Sequence, residues 1–380
     1  MAGRVEVRLA DFQVDDAAAS RLEGSGADQN LERGLLTDVG HAAGWLDRHL
    51  ASEGNNRSVR RVARPYTAVD MSDLERYVRL LEPLEHVQLR KPIAVLGFGG
   101  WIDAGFAATG AVRYLVDQLP ARRIAELDPE AFYSFTDTRP RVRVRDGWRE
   151  PEWPLAEWFA VQMPEEAAHD LVLFTGPEPN LRWQTFTGVM LDLLQQVGTF
   201  TVVSLGAVLA PVHHRARVSL RGRGTTDELR AELRRRHIGS GNYQGPTGIT
   251  TVLLLAAQER GMPGLSLSAS SPSYLANVPN PRTSAALLRA VAEISHVPLP
   301  LGQLERDSRA LMEQVDQSIA SQPELREALE RLSEADAPEQ AETIEPLPEA
   351  SDPPSELPSS AAVLRDLEDF LRNLREKDQQ

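Results

Sequence analysis

The residues whose types and spacing could do chemistry fall in four short segments. The first is Gly97-Phe98-Gly99-Gly100-Trp101-Ile102-Asp103-Ala104-Gly105. Glycines at such a turn let backbone approach a ligand closely, and Asp103 offers a carboxylate that can also cap a following helix. The dinucleotide fingerprint needs a glycine where Ile102 stands. The P-loop spacing from Gly100 to Gly105 is followed by Phe106 and Ala107 rather than Lys and Ser/Thr, so both nucleotide motifs fail. Ligand contact at Gly99, Gly100 and Asp103, or plain turn geometry, remain as readings. The second segment is Thr175-Gly176-Pro177-Glu178-Pro179-Asn180, with Trp183 just beyond. Two prolines hold Glu178, which could serve as acid, base or acceptor, or as a cap charge facing a helix dipole. The third is Gln244-Gly245-Pro246-Thr247-Gly248-Ile249. It opens an apolar helix whose free N–H groups suit anions or polar ligand groups, with Thr247 able to cap and Tyr243 as a wall. The fourth is His213-His214, and a further segment, Ser270–Tyr274, ends in Tyr274. Adjacent histidines on extended chain point to opposite faces, and no third ligand completes a metal set. His214 alone, with Tyr274 as a second wall, is the reading kept.

Other chemistries are excluded or disfavoured. The chain has no cysteine, which removes disulfides, thiolate catalysis and cysteine-ligated metal sites. No Gly-x-Ser-x-Gly elbow supports a serine hydrolase. Neither a metal nor a cofactor is expected. The net charge of −14 over 380 residues disfavours non-specific binding to nucleic acid or an anionic membrane. The run Arg230, Arg234, Arg235 and Arg236 is therefore read as a solvated helix face or an inter-subunit salt-bridge surface. No apolar stretch reaches the length of a membrane span, and no secretory h-region is visible, so a cytoplasmic protein is expected.

Four apolar runs must position these segments: Ile93–Phe98, Leu171–Thr175, Thr201–Leu205 and Leu265–Ala269. Each closes on glycine or a small polar residue and is followed by a helical pattern. Short apolar runs of this kind read as strands buried on both faces, and their alternation with helices predicts an α/β layered sheet. Ligand crevices in such sheets lie beyond the carboxyl ends of the strands, where Gly97–Gly105, Thr175–Trp183, Gly206–His214 and Ser270–Tyr274 fall.

The helices are predicted at Ala104–Leu119, Leu181–Val197, Thr226–His237, Thr247–Arg260 and Pro281–Ile294. A helix from Ser72 to Glu82 precedes them. Within Arg139–Pro154, Val142 and Val144 alternate with arginines before Asp146-Gly147, a hairpin signal with exposed apolar and arginine side chains suited to a partner. Leu155–Gln162 reads as a strand on the sheet edge and Ala216–Leu220 as a further strand. Residues 1–70 read as a flexible extension with a short amphipathic piece at Leu35–Leu50, and Met71 as a second candidate start. The core domain spans 71–302 and the hairpin 139–154. A helical lid spans 303–334, containing helices Gln303–Ser321 and Glu324–Ser333. An acidic, proline-rich linker follows over 335–360. A C-terminal segment, 361–380, carries an amphipathic helix at Ala361–Arg375.

The order of Leu96–Gly105, Phe132-Tyr133-Ser134-Phe135, Arg139-Pro140, Glu152-Trp153-Pro154, Thr175–Pro179, Trp183, Pro211–Arg215, Tyr243–Gly248 and Pro272-Ser273-Tyr274 resembles the proteasome assembly chaperone 2 family. It is most similar to the uncharacterised actinobacterial branch with an appended helical C-terminus. The resemblance covers about Leu84 to Arg331. It implies a three-layer α/β/α core with a phosphorylase- or hydrolase-like mixed sheet, an inserted β-hairpin and C-terminal helices over a cleft. It also implies a homo-oligomer, a trimer, with the hairpin at the interface. The family has no agreed reaction. Some members are labelled carboxylate–amine ligases, which no phosphate loop here supports, and fold similarity does not transfer phosphorylase catalytic residues. Eukaryotic members chaperone proteasome assembly, a role that transfers poorly because the sequence alone does not allow its surfaces to be matched. Two functions therefore stand. One is a small polar ligand bound at Gly99, Gly100, Asp103, Glu178, His214, Tyr243, Thr247, Gly248 and Tyr274. The other is a non-enzymatic assembly or interaction protein using its hairpin and C-terminal helices on a protein partner.

Overall fold

The computed structural model of the chain describes residues 71–241 and 243–320. The expectations for 1–70, Glu324–Ser333, 335–360 and Ala361–Arg375 lie outside the described residues.

In chain order the elements are α1 (Met71–Tyr77), β1 (Val78–Leu80), β2 (Ile93–Gly99), α2 (Ala107–Gln118), β3 (Arg122–Leu127) and α3 (Pro129–Phe132). Next come β4 (Arg141–Arg145), β5 (Trp148–Glu152), β6 (Glu157–Val161), β7 (Leu171–Pro177), α4 (Trp183–Gln196), β8 (Thr201–Ala210) and β9 (Leu220–Gly224). The rest are α5 (Asp227–Arg235), α6 (Ile249–Glu259), β10 (Gly264–Pro272), α7 (Pro281–Ser295) and α8 (Gly302–Ala320). Eight strands form one mixed sheet in the order β1-β3-β6-β7-β2-β8-β10-β9. Its centre, β7-β2-β8-β10, is parallel, and β1, β3, β6 and β9 run antiparallel to their neighbours.

The central strands are apolar throughout because both faces are covered. In β2, Ala94, Leu96 and Phe98 face a layer built by α1, α4 and α6, while Ile93 and Val95 face α2 and α7. Aromatic rings fill the first layer, with Phe98 against Phe174 and Phe186 and Trp158 against Phe174. Helix α2 crosses β2 so closely that a β-carbon on Gly97 would lie 2.6 Å from the Ala108 carbonyl oxygen. That glycine is required by packing. On the second face α8 lies along α7, and its Leu311, Met312, Val315 and Ile319 bury against Tyr274, Leu275 and Val278.

The four apolar runs are all strands, and the layered α/β architecture is the one expected. Several boundaries differ. The helix expected from Ser72 to Glu82 stops at Tyr77, where the chain turns into β1 against β3. Segment 155–162 does form a strand, β6, but it is interior, between β3 and β7. Strand β3 had no apolar signature because Arg122 and Arg123 head it. The strand expected at Ala216–Leu220 begins at Leu220, where pairing with β10 starts. The first helix opens with a 3₁₀ turn, Ala104–Phe106, before α2, and α6 starts at Ile249 rather than Thr247. Strands β4 and β5 form a separate two-stranded ribbon whose turn residues Asp146 and Gly147 are both left-handed, φ 50° and 84°. That geometry matches the twist of a tight hairpin.

Candidate functional site

Strand β2 ends in Gly99-Gly100, and the chain then turns sharply. Gly100 sits at φ 128°, a conformation that favours glycine, and a β-carbon there would meet the Glu178 Cβ at 3.3 Å. Gly99 is different, because a β-carbon there would meet nothing nearer than Thr109 Cγ2 at 3.5 Å. Local sterics do not demand glycine at 99.

Asp103 follows this turn, buried beneath the start of α2. Its Oδ1 accepts from the N–H groups of Ala108 (2.7 Å) and Thr109 (3.2 Å), and its Oδ2 accepts from the Thr109 hydroxyl at 2.5 Å. It therefore caps the helix, as its type predicts, but from beyond the intervening 3₁₀ turn. Burial pushes its carboxyl up to about 7, against the pull of those hydrogen bonds.

Glu178 comes from the end of β7, where its own N–H donates to Gly99 O at 2.7 Å. Its Oε1 accepts from the N–H of Ile249 at 2.6 Å, and the carboxylate also accepts from the N–H of Trp101. Burial raises its carboxyl above the ordinary value, and those two donors oppose the rise. The side chain thus ties three elements together: the ends of β7 and β2, and the first turn of α6. Gly248 gives α6 no side-chain cap, and a β-carbon on it would come within 3.0 Å of Glu178 Oε1. The cap expected of Thr247 is made by Glu178 instead, and Thr247 is exposed. Tyr243 is also exposed, and its hydroxyl donates to Pro246 O at 3.0 Å.

His214 and Tyr274 form a second cluster. The Tyr274 hydroxyl accepts from the His214 backbone N–H at 2.6 Å and lies 2.9 Å from Nδ1, while Nε2 lies 2.8 Å from Asp316 Oδ1. A carboxylate can only accept, so Nε2 carries the proton and the tyrosine donates to Nδ1. Burial pulls His214 down to about 4, outweighing the hydrogen bond from Asp316. The His214–Asp316 contact at neutral pH is therefore a hydrogen bond between a neutral ring and a carboxylate. Arg215 completes the cluster by pairing with Asp316 and is the main reason its carboxyl lies below the usual range.

Gly99, Gly100, Glu178 and Gly248 thus gather at the carboxyl end of β2, with Asp103 beneath Gly99. His214 and Tyr274 form a second hydrogen-bonded cluster with Asp316 of α8. The sequence reading missed Asp316, which lies 102 residues from His214 and carries no motif. It also missed Thr109, the hydroxyl partner of Asp103. Among the described residues no group of three or more His, Asp or Glu side chains could hold a metal ion, and no helix is long and apolar enough to cross a membrane.

The model of the PAC2 family matches residues 97–319, from the Gly97 turn to the end of α8. The chain belongs to the PAC2 family. Among solved structures, a PAC2 family protein from Streptomyces avermitilis is 37% identical, with a TM-score of 0.56, over 60% of this chain and 95% of that one. A proteasome-assembly chaperone homologue from Mycobacterium tuberculosis is 35% identical, with a TM-score of 0.57, over 62% of this chain and 99% of that one. The fold also matches a Pyrococcus furiosus archaeal proteasome activator, with a TM-score of 0.52 at 20% identity over 63% of this chain and 97% of that one. No curated protein matches the chain. The PAC2 match thus begins at β2 and takes in both clusters, Glu178 with the β2 turn and His214 with α8.

Proposed function

We propose that this PAC2 chain is a cytoplasmic, oligomeric assembly protein that acts through its β4–β5 hairpin. The observation that carries the reading is the exposure of that hairpin. Every residue of β4 is exposed, and Val142, Val144 and Trp148 are 65%, 68% and 77% exposed. An isolated two-stranded ribbon with apolar side chains in water is marginal alone and gains stability by packing on another surface. The cluster of Phe135 and Trp153, rings 4.9 Å apart, continues the apolar surface to its base. The charged groups that suggested chemistry are occupied as caps or as the α8 latch, which favours interaction over catalysis. Likeness to a protein named as a proteasome-assembly chaperone homologue supports the same direction. A second copy of the chain is the first partner, in a trimer, and a separate client protein the second. The test is light scattering on Trp148→Ala/Val144→Ser: the mass falls toward that of one chain while the circular dichroism spectrum is retained. An unchanged mass, or a single-chain mass in the parent protein, overturns the reading.

One observation favours a second reading, a small polar ligand at the β2 turn. Trp101 Nε1 is buried there without a hydrogen-bond partner among the described residues, beside a Gly99 that packing does not require. A thermal shift with nucleosides, nucleotides or amino acids, lost in Trp101→Phe, would support it.

A further inference from the structure

The charge of this chain is unevenly divided. From His213 to His237 it carries eight arginines against three acidic residues, within a molecule of net charge −14. That segment builds one edge of the sheet: the approach to β9, β9 itself and α5, whose Leu233 packs beneath Gly222 of β9. Arg230 pairs with Asp227, Arg235 and Arg236 pair with Glu232, and Arg215 pairs with Asp316. Arg217, Arg223 and Arg234 are exposed and have no acidic partner among the described residues. The opposite charge lies in the same chain. Glu334–Glu356 contains eight acidic residues and no lysine, arginine or histidine.

The described chain delivers that segment to the right place. Asp316, near the end of α8, sits on Arg215, the first arginine of the basic run. Ala320, the last residue of α8, is four residues further, about 6 Å along the helix. Thirteen residues lie between Ala320 and Glu334, a length that reaches at most about 50 Å when extended. A tether of that reach holds the acidic segment close to the β9 edge, so its local concentration there is high.

We propose that the acidic segment Glu334–Glu356 docks on the basic β9–α5 edge of its own chain. The contact is polyelectrolyte in character, between carboxylates and the arginines at 217, 223 and 234. It lies along the β9 edge, whose Gly222 N–H is already taken by Gly239 O at 3.0 Å, and it neutralises the basic charge there.

The absence of cysteine makes the test clean. Ser219→Cys at the edge and Ser351→Cys in the acidic segment, in the full-length chain, are labelled with a donor and acceptor fluorophore. Transfer is strong at low salt and falls as salt rises from about 0.01 to about 1 M, where the screening length drops from about 30 to about 3 Å. It falls equally at low salt in Arg217→Glu/Arg223→Glu/Arg234→Glu, whose thermal melt matches the parent. Transfer indifferent to salt in the parent overturns the proposal, and so does transfer indifferent to the charge reversal. Equal transfer between singly labelled chains mixed together assigns the segment to a neighbouring copy and overturns docking on its own chain.

Discussion

At the scale of single residues, the two carboxylates that suggested acid–base chemistry are both helix caps, yet they differ in what their burial costs. Glu178 takes donors from two elements, so Glu178→Ala leaves the N–H groups of Trp101 and Ile249 without their acceptor. Asp103 is the more informative. Its folded value of about 7 exceeds that of an unfolded aspartate, near 4. Between those values the folded chain holds a proton that the unfolded chain has released. Stability from this group therefore falls as pH rises through that window, by roughly 4 kcal/mol at full ionisation. Asn at 103 keeps an acceptor for Ala108 and Thr109 and has no charge to desolvate. Urea denaturation of Asp103→Asn at pH 5 and pH 8 is expected to show the variant gaining on the parent at the higher pH. A gain at the lower pH instead would mean that the three hydrogen bonds hold the carboxylate ionised. The capping role of Asp103 was legible in the sequence because cap residues announce themselves by type just before a helical pattern. That Glu178 rather than Thr247 caps α6 was not, because the donor and acceptor are 71 residues apart.

At the scale of elements, the strands of the centre were legible and those of the margins were not. Doubly covered strands such as β2 and β7 must be apolar at every position, which is visible without knowing their neighbours. Strands β1, β3 and β9 are short or arginine-bearing, and their pairing depends on partners far along the chain. The attachment of α8 was equally hidden. Its apolar stripe was plain, but its polar latch joins Asp316 to His214, Arg215 and Tyr274. That latch is sensitive to acid. His214 titrates at about 4 when folded and near 6.5 when exposed, so below about 6.5 the detached state takes up a proton that the docked state refuses. The stability of docking is complete above that range and is lost as pH falls toward 4. The groups facing the ring make this worse rather than better on protonation: His213 stacks on it at 4.2 Å and Arg215 lies beside it, with only Asp316 opposing. Hydrogen exchange in Gly302–Ala320 is expected to speed up between pH 7 and pH 5, relative to the strands of the central sheet. In His214→Gln, which cannot be protonated, that selective change disappears. Equal acceleration in both proteins would place the acid sensitivity elsewhere.

At the scale of the whole molecule, the chain separates what holds it together from what it presents. The core is two apolar layers around one sheet, closed without any contribution from β4 or β5, whose side chains appear in neither layer. A segment that costs order to keep and returns no internal burial is maintained for an external contact. Replacing Arg141–Glu152 with a short glycine–serine loop should therefore separate folding from association. In a domain of this size each kcal/mol shifts the melting temperature by about 2–4 °C. The shortened protein is expected to melt within about that interval of the single-chain form of the parent, to keep its circular dichroism spectrum, and to fail to associate. If the melting temperature collapses with the hairpin removed, the ribbon is part of the fold and its exposure is no guide to a partner. If the protein still assembles at its original mass, the interface lies elsewhere. The remaining exposed apolar residues, among them Leu155, Leu181 and Phe200, are then the surfaces to change next.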